Sequence, residues 1–358
     1  MQPRLKKYKE FIEKEYLNSL LWNKDHSLGG LRAGLKQKIK RGHFKRIVFC
    51  GMGCSAIVAD MIKGFFVDQK IPIFIEVVND YDLDYSINRE ILKDDKILFI
   101  ISSFGGNSNE PVKFYEQIKK LTKNVIFLTS GGRLGKIAET QNISVIYWRL
   151  RNPNEKYSLL HAPQFFAILL DIFFELKIIK HNYQSKLSDT VRYLKKEFNQ
   201  KKISEAKKMA QKFKDREVIL LATPKWHLTL LKLAVMHFNE MALAPVHLNS
   251  FHEFTHCEVA VFAEPKAKLA AVIFEDNKED QYTKNKIQNL VKVLTAKIKQ
   301  NKNIELVVIK MDQDDFFKKF FSALLFIQYV VYFLAVSYNL KSREFISKIK
   351  YAKLKPCS

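Results

Sequence analysis

The sequence predicts an α/β protein with two parallel-sheet units, each covered by helices on both faces. Three observations carry this reading. Short apolar runs alternate with helical stretches of roughly 10–15 residues, the pattern of strands joined by crossover helices. In the first half, two apolar runs open directly into loops of glycine and serine. In the second half the same order of runs and helical stretches returns, so the fold reads as duplicated without residue-level self-similarity.

In the first half, strands are expected at Ile47–Cys50, Ile71–Val78, Ile97–Ile101, Val125–Thr129 and Ile143–Trp148, with a long helix from about Pro163 to Ile179 closing the unit. Near-continuous apolar strands of this kind belong to a sheet buried on both faces. The basic stretch Lys180–Arg216 reads as one or two linking helices. The second unit then offers strands at Val218–Ala222, Pro245–Leu248, Leu269–Phe274 and Ile304–Ile309, and helices at Trp226–Ala242, Lys284–Gln300 and Asp315–Tyr338. The implied domains are 1–180, carrying the glycine–serine loops, a helical linker over 181–215, and 216–358.

Phe321–Tyr338 has 18 residues without a charge, which touches the length that spans a bilayer. It carries Ser322, Gln328, Tyr329, Tyr332 and Ser337, so a buried helix is the better reading. The N-terminus is polar and unlike a signal peptide. The four cysteines, Cys50, Cys54, Cys257 and Cys357, form no CxxC pair and no readable zinc or disulfide framework. A reducing, cytoplasmic setting is the default. The formal net charge of +23 favours phosphates, acidic surfaces and nucleic acid alike. Lysine and arginine are spread through the chain, with no arginine-rich tail, so nucleic acid is the lesser reading and neither it nor a membrane is the expected partner.

Two loops carry the candidate chemistry. The first is Gly51-Met52-Gly53-Cys54-Ser55-Ala56, the second Ser102-Ser103-Phe104-Gly105-Gly106-Asn107-Ser108. A buried strand that ends in Gly and Ser and opens into a helix makes an anion pocket, because unpaired N–H groups and the helix dipole both favour negative charge. Ser55, Ser103 and Ser108 are the binding candidates; helix capping is the alternative for each. Thr129-Ser130-Gly131-Gly132 ends the next strand and completes the loop set. The second unit has Thr223-Pro224-Lys225-Trp226 at the matching place, where Pro and Trp obstruct close backbone approach. The anion therefore belongs to the first unit.

The second cluster is Asn239-Glu240-Met241-Ala242, followed by His247, His252, Glu253, His256 and Glu258. Glu240 lies near the end of a helix among apolar residues, where a carboxylate acquires a raised pKa and can act as a base; a structural hydrogen-bond partner is the alternative. His256, expected in a polar turn, can move protons near neutrality. The histidine spacings match no standard zinc pattern.

These residues together resemble the bifunctional phosphoglucose/phosphomannose isomerases, built from two sugar-isomerase (SIS) domains. The similarity runs from about residue 20 to 353. Gly51–Ala56 resembles the family's GMGGSA/G loop, Ser103–Ser108 its SYSGNT, and Thr129–Gly132 is identical to its TSGG; Asn79–Leu83 belongs to the same set. Asn239–Ala242 resembles NENA, His256–Glu258 resembles HNE, and the interval of 16 between Glu240 and His256 fits the family. Ile346 to Lys350 resembles its I..LK signature.

The resemblance implies two SIS-type domains, each a parallel sheet in an αβα sandwich. It implies an aldose–ketose isomerase of glycolysis and gluconeogenesis that interconverts fructose 6-phosphate with glucose 6-phosphate or mannose 6-phosphate through an enediol(ate). Ser55, Ser103 and Ser108 would bind the phosphate, with Gly51, Gly53, Gly106, Asn107, Thr129 and Ser130 supporting them. Glu240 would move the proton between C1 and C2. His256, from the partner subunit of a homodimer, would open the ring, and Lys350 would reach the site from the C-terminal helix. No metal or other cofactor is required by this chemistry.

The chain departs from the family at Cys54, where the family has glycine, at Gly105, Ser108 and Asn109, and between Asn154 and His161, where the family's arginine is missing. Lys156, Arg151 and His161 are the nearby candidates to replace it. The departures support a second reading, an SIS-type protein that binds sugar phosphates with weak turnover or none.

Overall fold

The computed structural model describes residues 3–81, 88–151 and 158–340. Contacts divide the chain into an N-terminal sheet unit, Tyr16–Arg192, and a C-terminal sheet unit made of Met1–Glu15 with Tyr193–Ser358.

The N-terminal unit has six strands: β1 (His26–Ser27), β2 (Arg46–Gly51), β3 (Phe74–Val78), β4 (Ile97–Ser102), β5 (Val125–Thr129) and β6 (Ser144–Trp148). Their order is β1-β6-β5-β4-β2-β3. Five run parallel, as the apolar runs predict, and every residue of β4 and β5 is buried. The sheet is nonetheless mixed, because β1 pairs antiparallel with β6. Two residues without an apolar run leave no sequence signal for such an edge strand. β3 begins at Phe74 rather than Ile71, beyond Pro72, which lacks the N–H a ladder needs. Helix Cys54–Asp68 packs against β2, β3 and helix Ala162–Glu175. The last of these is apolar on nearly every face and opens with Pro163 in its first turn.

The register sets the position of the loops. Arg46 of β2 lies opposite Ile97 of β4, and Gly51 opposite Ser102. The two strands end level, so the loops that follow them open side by side. β2 lies between β3 and β4, so the chain winds outward in both directions from this point, which is where α/β sheets bind ligands.

The C-terminal unit holds β7 (Glu217–Ala222), β8 (Val246–Ser250), β9 (Leu269–Asp276) and β10 (Ile304–Met311), all parallel, in the order β10-β9-β7-β8. Helix Phe316–Ser337 is long and apolar enough to cross a membrane, yet its side chains are mostly buried, Ser322 and Gln328 among them. It is the central helix of this unit. Helix Gln200–Phe213, read from sequence as part of a linker, packs along it, and so does the N-terminal helix Pro3–Glu10. Phe11 and Ile12 of the same N-terminal segment are buried as well. The predicted helix Trp226–Ala242 is interrupted by two π turns, His227–Leu231 and Phe238–Ala242.

Candidate functional site

In the N-terminal unit the loop after β2 places Gly51 at the strand end, Gly53 at the N-cap and Ser55 in the first turn of helix Cys54–Asp68. The loop after β4 places Ser108 at the N-cap of helix Asn109–Ile118. Neither cap residue makes a side-chain capping bond. Ser103 is buried, and its hydroxyl donates to Ser108 Oγ at 3.2 Å. The hydroxyls of the second loop are thus held against each other rather than spent on the helix end. That arrangement suits oxygens of an anion, which accept from hydroxyls and backbone N–H groups alike.

The loop after β5 braces this cradle. The single Thr129 hydroxyl proton is within reach of two carbonyl acceptors, Phe104 O (3.1 Å) and Gly131 O (3.0 Å), and the Ser130 hydroxyl donates to Phe104 O at 2.7 Å. Leu134 N–H donates to Gly106 O, and Arg133 N–H donates to the Asn107 side chain. The two loops touch so closely that a Cβ on Gly106, at φ +68°, would lie 1.8 Å from Gly131 O. A Cβ on Gly132, at φ +64°, would lie 2.1 Å from Gly105 O. Only glycine fits either place.

Cys54 is buried and lies with Ser55 beside an aromatic wall. Phe104 packs on Trp148 at 4.7 Å, and Trp148 stacks on Phe165 at 4.4 Å. His161, at the N-cap of helix Ala162–Glu175, is buried in the same wall. Of the three candidates for the missing arginine's place, Lys156 lies outside the described residues, and Arg151 is engaged with Asp25 at 3.1 Å. Arg133 was missed from sequence. Its guanidinium bonds Asn109 at 2.6 Å, immediately beside the cradle, and its only signal was its position after the glycine pair.

In the C-terminal unit Glu240 lies within the π turn Phe238–Ala242, a distortion frequent at functional sites. The turn ends at Leu243, a non-glycine residue with φ +51°. Glu240 is half-buried, burial pushes its carboxyl pKa up, and no side chain among the described residues is hydrogen-bonded or ion-paired to it. His256 is exposed in a turn between helix Phe251–Phe254 and a 3₁₀ turn, its N–H bonded to Glu253 O. No hydrogen bond joins Glu240 and His256 among the described residues. Lys350, Asp82 and Leu83 lie outside the described residues.

The carboxyl ends of β7 and β9 are filled by the chain's own charges. Lys319, 1% exposed, donates to Asp276, and Trp226 Nε1 donates to the same carboxylate at 3.0 Å. Burial pushes the Asp276 pKa up, but the Lys319 ammonium, the Lys278 backbone N–H and nearby Lys225 hold it below the ordinary range. Glu279 accepts from the Thr223 hydroxyl. The sequence excluded an anion here because of Pro224 and Trp226; the structure adds that carboxylates occupy the place.

Among the described residues, one group has metal-ligating chemistry. Ligand atoms of His26, Asp171 and Glu175 lie within 4.8 Å of one another. The Lys24 ammonium lies 2.8 Å from Asp171 and 3.5 Å from Glu175, supplying the positive charge that a cation would bring.

Residues 202–355 match the family described as the bacterial phospho-glucose isomerase C-terminal SIS domain. The chain is 25% identical over 247 residues to a bifunctional phosphoglucose/phosphomannose isomerase of Caldicellulosiruptor bescii, covering 64% of this chain and 66% of that protein, just under two thirds. It is 36% identical over 101 residues to the Thermoplasma volcanium protein of the same description, covering 28% and 30%. It is 23% identical over 305 residues to that of Aquifex aeolicus, covering 83% and 86%. Among solved structures, the tagatose-6-phosphate ketose/aldose isomerase of Escherichia coli superimposes with a TM-score of 0.65 at 14% identity, covering 96% of this chain and 95% of that one. The C-terminal domain of the Francisella tularensis glucosamine-fructose-6-phosphate aminotransferase gives 0.62 at 15%, covering 93% and 95%. At such identities these two speak for the fold alone. Residues 202–355 thus match a SIS domain of the bacterial phospho-glucose isomerase type, and the chain is similar at low identity to bifunctional phosphoglucose/phosphomannose isomerases.

Proposed function

We propose that this protein interconverts fructose 6-phosphate with glucose 6-phosphate, mannose 6-phosphate or both, through an enediol(ate). The observation that carries the reading is a cradle of serine hydroxyls at two helix starts in one unit, together with, in the other, a half-buried carboxylate on a π turn that has no side-chain partner among the described residues. Ser55, Ser103 and Ser108 bind the phosphoryl group. Glu240 takes the proton from one of carbons 1 and 2 and returns it to the other. Burial shifts its pKa upward, the direction that makes a carboxylate a better proton acceptor in such an exchange. His256 opens the ring, supplied by the second subunit of a homodimer, and Lys350 assists. The reaction belongs to glycolysis and gluconeogenesis in the cytoplasm, and the strongly positive chain draws the anionic substrate in.

A second reading, a phosphosugar binder without turnover, rests on the buried Cys54 at the cradle and on the missing arginine. One experiment separates the two. The protein is mixed with fructose 6-phosphate, and the formation of glucose 6-phosphate and mannose 6-phosphate is followed. Turnover that vanishes in Glu240→Gln, with thermal stabilisation by the ligand retained, supports the isomerase. Stabilisation without turnover in the wild-type protein supports the binder. Neither effect would remove both.

A further inference from the structure

The N-terminal helix carries polar side chains into the C-terminal unit, on either side of Glu240. Arg4 is 2% exposed, and its Nη2 donates to the carbonyl oxygen of Met241 at 2.5 Å. Tyr8 is fully buried, with its hydroxyl 3.2 Å from Nδ1 of His237. His237 is itself fully buried, and the Gln328 side-chain amide lies 3.1 Å from its Nε2. His237 stands three residues before Glu240, and Met241 follows it directly.

The local backbone makes these contacts consequential. Phe238 O accepts from both Leu243 N–H and Ala244 N–H, so the helix ends in a widened turn. The carbonyls of a last turn have no intrahelical donor, and a buried one must find a partner elsewhere. Arg4 supplies that partner, and its positive charge is favourable at a helix C-terminus. An apolar side chain would fill the same space with less desolvation. What the guanidinium adds is direction, a bond to one particular carbonyl.

We propose that helix Pro3–Glu10 is a positioning clamp for Glu240, in which Arg4 holds the residue after it and Tyr8, with Gln328, holds His237 one turn before it. The proposal rests on the reading of Glu240 as the base. Neither Arg4 nor Tyr8 touches substrate; they act through the π turn.

The test uses the full-length chain with Arg4→Met, Arg4→Lys and Tyr8→Phe, read by hydrogen exchange and by isomerisation of fructose 6-phosphate. Arg4→Met is expected to speed amide exchange across residues 238–244 by about tenfold or more while β7 and β9 stay protected. It is expected to lower kcat about tenfold with KM within about twofold, because misplacing a catalytic group costs rate before binding. Arg4→Lys should recover part of both, and Tyr8→Phe, which removes one oxygen, carries the same expectation should Arg4→Met fail to fold. Unchanged exchange at 238–244 in the folded variants overturns the clamp, as does a loss confined to KM. A wild-type enzyme whose turnover survives Glu240→Gln, or one that shows no turnover, defeats the reading of the base, while the exchange data still decide whether the turn is clamped.

Discussion

Replacing Gly106 with alanine puts the cradle to its sharpest test. Gly106 has φ +68°, and an added Cβ would lie 1.8 Å from Gly131 O and 2.8 Å from both the Gly131 carbonyl carbon and Thr129 Oγ1. The nearest neighbour is backbone, held in turn by the Thr129 hydroxyl, so it cannot swing aside like the end of a flexible side chain. The left-handed backbone costs an L-residue about 1–2 kcal/mol, and forced overpacking about 1–3 kcal/mol. Their sum, roughly 2–5 kcal/mol, is a large part of the total stability of an ordinary domain, about 5–15 kcal/mol. Gly105, one residue earlier, is the control: nothing lies within 4 Å of its added Cβ, and its φ is not in the left-handed range. Differential scanning calorimetry should show the N-terminal unit of Gly106→Ala melting lower by about 5–20 °C, at roughly 2–4 °C per kcal/mol. Gly105→Ala should stay within about 3 °C. Sugar-phosphate stabilisation should be lost in the first variant and kept in the second. Equal melting of the two would show that the loops do not touch as described, and the bracing argument would fail.

Lys319→Met should destabilise the C-terminal unit by about 3–5 kcal/mol in urea unfolding, because it strands the buried Asp276 carboxylate without its ammonium; a loss under 1 kcal/mol, about the worth of a surface pair, would contradict the burial. Lys70 and Lys177 sit at φ +52° and +59° just beyond helix C-termini, so Lys70→Gly with Lys177→Gly should raise stability by about 1 kcal/mol, the relief of left-handed strain less the entropy glycine adds to the unfolded chain. A fall in Tm would show that the lysine side chains stabilise these turns by more than the strain. Burial pushes the His237 pKa down to about 3, so the folded protein binds fewer protons than the unfolded chain below pH 6.5. Its contribution is complete above that pH and falls by about 1 kcal/mol per pH unit on acidification toward 3. His237→Gln should flatten that slope between pH 6.5 and 5, and an unaltered slope would place the titration elsewhere. For Glu240 the shift is upward, so the acid limb of the rate profile should lie above the ordinary carboxylate value of about 4.3, and in Glu240→Asp, if active, it should move.

Most of the sheet architecture was legible because parallel strands buried on both faces must be apolar along their length. Ile47–Cys50, Ile97–Ile101 and Val125–Thr129 declare themselves in that way, and the glycines and serines behind them mark the cradle. Glu240 was legible as a half-buried carboxylate near a helix end, since burial follows from its apolar neighbours. The sequence could not show that Thr129 and Ser130 spend their hydroxyls on the Phe104 carbonyl, because that depends on two loops meeting across neighbouring strands. Nor could it show Lys319 beneath Asp276, or Arg4 against Met241, 237 positions apart. Local pattern reports which residues seek burial. Which polar group answers which is settled by chain packing at long range, where a lysine in an apolar helix or an arginine at the N-terminus reads the same whether it faces water or holds a carbonyl.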